Sequence, residues 1–97
     1  MMTITQTKTE NALTIQLAGR LDTITAPELE ASLKDNLAGV TELTIDLKEL
    51  EYMSSAGLRV ILSLQKRMNG NMQVCHVNET IAEIFEVTGF NDILTIV

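Results

Sequence analysis

Two adjacent serines, Ser54 and Ser55, are the residues of this sequence best placed to carry chemistry. They lie after a strand-like alternation that ends near Leu47 and at the start of an apolar pattern of helical period that runs on from Gly57. Serine is a preferred residue at the start of a helix, where its hydroxyl accepts a hydrogen bond from an unpaired amide. The same position can also expose a hydroxyl for phosphorylation, because the positive end of a helix favours a phosphate group. From the pattern alone, the two serines could serve as a helix cap, as a phosphorylation site, or as both.

A catalytic serine is a competing interpretation, and the sequence argues against it. The segment Ser54-Ser55-Ala56-Gly57 lacks the Gly-x-Ser-x-Gly pattern of many hydrolases, and no suitable base is visible. The sole histidine, His76, falls late in a predicted strand, where we expect a structural role. Its neighbour Cys75 is interpreted as a small core residue that points to the opposite face, and neither residue has metal-site spacing. We therefore predict no catalytic residue, no metal and no cofactor.

Two carboxylates, Asp22 and Asp46, are candidates for a place near these serines. Asp22 follows a predicted strand in a loop, and Asp46 alternates with Ile45 and Leu47 near the predicted end of another strand. Because ligand sites of α/β sheets gather beyond the carboxyl ends of the strands, both residues could approach Ser55. The alternatives are an Asx cap in the loop for Asp22 and a hydrogen-bonded strand end for Asp46. For each residue taken alone, the alternative is the more common role.

Hydrophobic periodicity predicts the elements that must position this turn. Predicted strands cover residues 3–7, 13–18, 41–47, 72–77 and 93–97. A first helix is predicted between a capping box, Thr25 with Glu28, and a stop at Gly39. The second runs from about residue 57 to residue 68, and the third covers residues 79–88. The order β-β-α-β-α-β-α-β predicts an α/β fold in which helices connect parallel strands.

The third helix has clear end signals. Asn78 is a suitable N-cap, and Gly89 can adopt the left-handed conformation that ends a helix. That conformation lets Phe90 fold back onto Phe85, the apolar contact that accompanies such an ending.

Length, charge and cysteine content limit the class of protein. The chain has 97 residues, and we expect residues 1–97 to form one domain. A net charge of −6 without a basic stripe argues against nucleic acid as a partner. The sequence shows no secretory signal and no apolar run near 20 residues, so we expect no membrane association. A single cysteine fits a reducing cytoplasm, and either Met1 or Met2 could be the native start.

Three motifs in this order resemble the STAS-domain family, the bacterial anti-sigma factor antagonists. The first is Gly19-Arg20-Leu21-Asp22 followed by Ala26-Pro27-Glu28-Leu29, and the second is Ile45-Asp46-Leu47 followed by residues 52–62. The third is the helix ending at residues 83–90. The resemblance implies a mixed sheet packed with helices, the STAS fold, over nearly the whole chain.

The resemblance also implies a switch made of binding and phosphorylation. In this family a serine at the start of the central helix is phosphorylated by an anti-sigma factor that is also a kinase of the GHKL type. The unphosphorylated protein binds that kinase, phosphorylation releases it, and a phosphatase resets the cycle. Alignment on Gly57 assigns the acceptor to Ser55, with Ser54, which replaces the usual Asp, as its rival. We expect a monomer or weak dimer whose partner contacts are at Asp22, Ser54, Ser55, Ala56, Gly57 and Arg59.

Some relatives keep the fold without the switch. The alternative function is therefore a constitutive accessory subunit of a stress-signalling, transporter or lipid-transport complex.

Overall fold

The computed structural model describes residues 2–34 and 36–97. The strands are β1 (Met2–Thr9), β2 (Ala12–Leu21), β3 (Glu42–Met53), β4 (Met72–Cys75) and β5 (Thr95–Ile96). The helices are α1 (Ala26–Leu33), α2 (Ser55–Arg67) and α3 (Glu79–Thr88), and a short 3-10 helix (Phe90–Asp92) precedes β5. The mixed α/β architecture and the predicted order of strands and helices are confirmed. None of the helices in the described ranges is long and apolar enough to cross a membrane.

The five strands lie side by side in the order in which they occur in the chain. β1 pairs with β2 antiparallel, and each later pair is parallel. Right-handed crossovers that all step in one direction carry their helices to the same face of the sheet. Burial agrees with this arrangement, because Ile45 and Leu47 of β3 are fully buried whereas Thr44 and Asp46 are half-exposed. We call the side of the sheet that carries Thr44 and Asp46 the open face.

Helix α1 begins after Thr25 as predicted, but it ends earlier than predicted and lacks the predicted capping hydrogen bonds. It ends at Leu33 and not at Gly39, although Leu37 beyond its end is still buried. Asp35, within the predicted helix, lies outside the described residues, as does Met1. The predicted capping box is wrong: the Thr25 side chain makes no hydrogen bond to the helix start, and its hydroxyl donates to the carbonyl of Arg20 at 2.7 Å. Thr25 is therefore bound to the strand before it.

Strand β3 is longer than predicted, and this moves Asp46 away from the serines. β3 has 12 residues and its partner β2 has 10. The pairing shifts between Gln16 and Ala18 and again between Gly19 and Arg20, so two extra residues of β3 are accommodated as irregularities. Asp46 lies seven residues before the last residue of β3, which is about 23 Å at the usual rise per strand residue. The prediction that Asp46 approaches Ser55 is therefore wrong.

The last two strands are shorter than predicted. β4 ends at Cys75, because His76 has a φ of 56° and cannot continue the extended backbone. β5 is reduced to Thr95 and Ile96, since Ile93 and Leu94 complete the turn after α3.

Helix α3 agrees with its prediction at both ends. The Asn78 side chain accepts from the amide of Ile81 at 2.9 Å and also donates to the carbonyl of Leu50, which ties the helix to β3. Gly89 has a φ of 78°, and the rings of Phe85 and Phe90 lie 6.3 Å apart. Asn78 therefore ties the start of α3 to the sheet, and the contact between Phe85 and Phe90 closes the end of the helix.

The start of α2 is held against the end of β2 at very short range. The amide of Ser54 donates to the carbonyl of Leu21 at 2.8 Å. A Cβ atom on Gly57 would lie 2.7 Å from Cγ and 3.0 Å from the carbonyl oxygen of Leu21, a residue that is itself fully buried. Only glycine leaves room for this approach, which explains a residue of low helix propensity in the first turn.

We expect Gly57→Ala to lower the free energy of unfolding by about 1–2 kcal/mol, measured by urea denaturation. The overpacking against Leu21 outweighs the gain in helix propensity. Ser63→Ala, at an exposed position of the same helix, is the control and should change stability by less than about 0.5 kcal/mol. A more stable Gly57→Ala would show that Leu21 can move aside.

Candidate functional site

The two serines have different structural roles. Ser54 is extended, with φ −90° and ψ 176°, and its Oγ accepts from the amide of Gly57 at 3.4 Å, so it is the N-cap of α2. Ser55 is the first residue of the helix, and its side chain is exposed. Within the described residues, no hydrogen bond engages the hydroxyl of Ser55. The arrangement leaves one serine for capping and the other free for chemistry.

Asp22 shapes the loop beside this helix start. Its Oδ1 accepts from the amides of Ile24 and Thr25, both at 3.0 Å, and its own amide donates to Oγ1 of Thr25 at 2.8 Å. The predicted Asx role of Asp22 is thus confirmed. The hydrogen bond from the Thr25 amide is the largest influence on its carboxylate and, with that from Ile24, holds the pKa of Asp22 below its usual value.

This loop and the helix start are adjacent, because Asp22 follows the residue whose carbonyl binds Ser54. The turn presents Ile24 to solvent, where 80% of its surface is exposed. Sequence reasoning missed Ile24 as a site residue. The sequence carries no distinctive signal for it, because single exposed apolar side chains are common on protein surfaces.

A shallow groove of about 350 Å³ runs from the loop along α1 and α2. Its lining includes Thr23, Pro27, Ala56, Arg59 and Ser63. Arg59 is exposed one helical turn after Ser55, so both side chains lie on the same side of α2. We call Ile24, Ser55, Ala56 and Arg59, with this groove, the α2-start surface.

The structure brings together the predicted site residues except Gly57, which serves the packing beneath them. Asp22 and Ser54 organise the backbone, while Ser55, Ala56 and Arg59 face the outside or the groove. The α2-start surface therefore combines a free hydroxyl, an exposed apolar side chain and a positive charge on a hydrogen-bonded backbone.

Asp46, Cys75 and His76 form a second group on the open face. Asp46 and Cys75 are register partners on neighbouring strands, and Nδ1 of His76 lies 3.0 Å from Oδ1 of Asp46. The prediction that Cys75 and His76 point to opposite faces is wrong, because the left-handed backbone of His76 returns its side chain to the face of Cys75. Cys75 is also only partly buried, so it is not a core residue.

The carboxylate of Asp46 and the thiol of Cys75 have pKa values shifted in opposite directions. Burial raises the pKa of Asp46, but hydrogen bonds from the Lys48 amide and from His76 outweigh it, so the pKa is lowered. Burial and the charge of Asp46 both raise the pKa of Cys75. Asp46 is therefore the anionic member of the group.

A family model described as the STAS domain matches residues 3–97. The chain belongs to the STAS family. It is 33% identical to BtrV of Bordetella bronchiseptica, named as a candidate anti-sigma factor antagonist, over 98% of this chain and 85% of BtrV. It is 31% identical to the anti-sigma-B factor antagonist of Bacillus subtilis, over 90% of this chain and 83% of that protein. The resemblance found in the sequence is thus confirmed.

Solved structures support the same fold. SpoIIAA, a Bacillus anti-sigma factor antagonist solved in its unphosphorylated form, superposes with a TM-score of 0.84 at 18% identity. That match covers 98% of this STAS chain and 88% of SpoIIAA. Its phosphorylated form gives a TM-score of 0.75, again at 18% identity, over 98% of this chain and 91% of SpoIIAA. At this identity the likeness concerns the fold alone.

The Asx turn predicts a specific response to acid. Because the folded-state pKa of Asp22 is lowered, the turn contributes stability above the unfolded value of 3.8, and this contribution is lost as the pH falls through the folded pKa. Asp22→Asn keeps an acceptor for the turn and removes the titration. We expect wild type to lose stability more steeply than Asp22→Asn below about pH 4 in urea denaturation across pH. Asp22→Ala, which lacks the acceptor, should be less stable than Asp22→Asn at every pH, and parallel curves for wild type and Asp22→Asn would contradict this account.

Proposed function

We propose that this STAS protein is an anti-sigma factor antagonist that works by partner switching. When Ser55 is unphosphorylated, the α2-start surface binds an anti-sigma factor that is also a serine kinase. Phosphorylation of Ser55 releases that partner, and a phosphatase restores binding. The role is regulatory and not enzymatic, and it is carried out in the cytoplasm by a monomer or weak dimer.

The observation that carries this proposal is the free, exposed hydroxyl of Ser55 at the start of α2. Its rival Ser54 uses its hydroxyl to cap the helix, so phosphorylation there would remove a structural hydrogen bond. The names of the two sequence relatives support the class of partner, and the existence of a phosphorylated form of SpoIIAA supports the chemistry.

Phosphorylation at Ser55 changes the charge of the surface and leaves the fold intact. A phosphoserine adds a charge of about −1.5 to −2 near neutral pH. The first amides of α2 and the helix dipole favour that charge, by about 0.3–1 kcal/mol at an exposed helix start. A partner surface shaped for a small neutral serine meets the phosphate with steric and desolvation costs, and an acidic one adds repulsion. The same modification is therefore tolerated by the domain and opposed at the interface.

We expect Ser55→Ala to abolish phosphorylation by a cognate GHKL-type kinase and to retain binding of the kinase. Ser55→Asp places a negative charge at the same position and should weaken binding by about 100-fold, which corresponds to about 3 kcal/mol. Phosphate incorporation by mass spectrometry and affinity by calorimetry measure the two effects.

Ser54→Ala is the matched control for this experiment. It should still be phosphorylated, while losing about 1 kcal/mol of stability with its cap. Loss of phosphorylation in Ser54→Ala but not in Ser55→Ala would move the acceptor to Ser54. Equal binding of the kinase by Ser55→Ala and Ser55→Asp would exclude the switch and favour a constitutive accessory subunit.

Ile24 gives a second test, because its exposed side chain is an apolar anchor at the edge of the same surface. We expect Ile24→Ala to weaken kinase binding by about 10-fold, in the usual range for a buried contact at an interface. Val87→Ala is the matched control, since Val87 on α3 is 83% exposed and Ile24 80%. Neither change should alter the melting temperature, and equal loss of binding in both variants would count against the α2-start surface.

A further inference from the structure

The group on the open face consists of three side chains that bind metals. One ligand atom from each of Asp46, Cys75 and His76 lies within 4.8 Å of the other two. The register of β3 and β4 fixes this arrangement, because Asp46 and Cys75 are direct partners and project from the same side of the sheet.

The backbone of His76 is what brings the third residue to this face. Successive residues of a strand point to opposite faces, so an extended His76 would point away from Cys75. Its φ of 56° lies in the left-handed region, which costs a non-glycine residue of order 1 kcal/mol. Glu10 and Asn69 have similar φ values in turns, so the relevant feature of His76 is the direction that this backbone gives its side chain.

We propose that Asp46, Cys75 and His76 form a Zn²⁺-binding site. Thiolate, imidazole and carboxylate are the three ligands that Zn²⁺ uses in proteins, and their combination does not suit Mg²⁺ or Ca²⁺, which take oxygen ligands. Three protein ligands leave a fourth position for water or for a group from another molecule. The imidazole side chain is 60% exposed, so an ion can enter from solvent.

The distances allow an ion after a small rearrangement. Bonds of about 2.0–2.3 Å in a tetrahedral site place neighbouring ligand atoms about 3.3–3.8 Å apart. The present separations, up to 4.8 Å, therefore require a closure of about 1 Å. Rotation of the exposed His76 side chain and the partly buried Cys75 side chain can supply it, while Asp46 is held by the hydrogen bond of its Oδ1 with the Lys48 amide at 3.0 Å. A carboxylate that binds a metal is typically held in place by such a hydrogen bond from a neighbouring group.

The composition of the chain makes the site easy to test. Cys75 is the only cysteine and His76 the only histidine, so a signal from a metal–thiolate or metal–imidazole bond has one source. The probe is Co²⁺, which replaces Zn²⁺ and gives an ultraviolet charge-transfer band when bound to a thiolate. The protein should be free of tags and kept reduced with a phosphine, which does not compete strongly for the metal.

We expect wild type to show the Co²⁺–thiolate band and to lose it on addition of Zn²⁺. Cys75→Ser should lack the band, and His76→Asn, which tolerates the left-handed backbone, should bind Zn²⁺ at least about 10-fold more weakly in a chelator competition. Asp92→Asn, a change of an exposed carboxylate elsewhere, is the matched control and should bind like wild type.

The proposal is overturned if wild type shows no thiolate band with Co²⁺. It is also overturned if Cys75→Ser and His76→Asn bind Zn²⁺ as tightly as wild type while circular dichroism shows them folded. Because Asp46 is about 23 Å along β3 from the start of α2, these results do not depend on phosphorylation of Ser55.

Discussion

The contact between Leu21 and the start of α2 is the constraint on which the functional surface depends. A carbonyl at the end of β2 holds the amide of Ser54, and the missing side chain of Gly57 lets the helix pass directly over Leu21. This contact fixes two things at once: the loop that begins at Asp22 and the helix that begins at Ser55. Because both start from one junction, the loop and the helix form one continuous surface although they are separated by more than 30 residues in the chain.

Strand β3 is what separates the two groups of polar side chains. A strand of the predicted length would have ended beside Asp46 and placed it near the serines. The two irregularities in its pairing with β2 let β3 continue to Met53 while β2 ends at Leu21. Asp46 thus lies in the middle of the open face, whereas Ser54 lies beyond the carboxyl end of this central strand. The two extra residues of β3 therefore keep Asp46 too far from Ser55 for the two side chains to form one site.

Much of this STAS fold follows from local patterns. Alternation in β2 and β3, the wide apolar face of α2 and the caps of α3 at Asn78 and Gly89 identify the elements and their order, because each depends on residues close in sequence. The choice of Ser55 over Ser54 did not come from such patterns, because it rests on the resemblance to the STAS family and on alignment at Gly57.

The errors arose where contacts between distant segments override the local pattern. Thr25 has the residue type of a capping residue, but its hydroxyl donates a hydrogen bond to the carbonyl of Arg20 instead. The sequence pattern predicts Cys75 and His76 as consecutive residues of a strand that ends at Val77. The strand ends earlier because His76 adopts a left-handed backbone, which no sequence motif predicts. The exposure of Ile24 is likewise a result of the turn around Asp22, which periodicity does not describe.

The sequential order of the strands has a consequence for how the molecule assembles. Each strand pairs with the strand before it in the chain, so each parallel addition closes a loop of about 22–32 residues and no strand inserts between two others. The chain can therefore grow its sheet from one edge to the other without a late, long-range insertion. The junction at Leu21 requires only β2, β3 and the start of α2, whereas Asp46 and His76 meet only once β4 has docked. The sequential order of the strands thus separates the α2-start surface from the group of Asp46, Cys75 and His76, both in space and in the order of assembly.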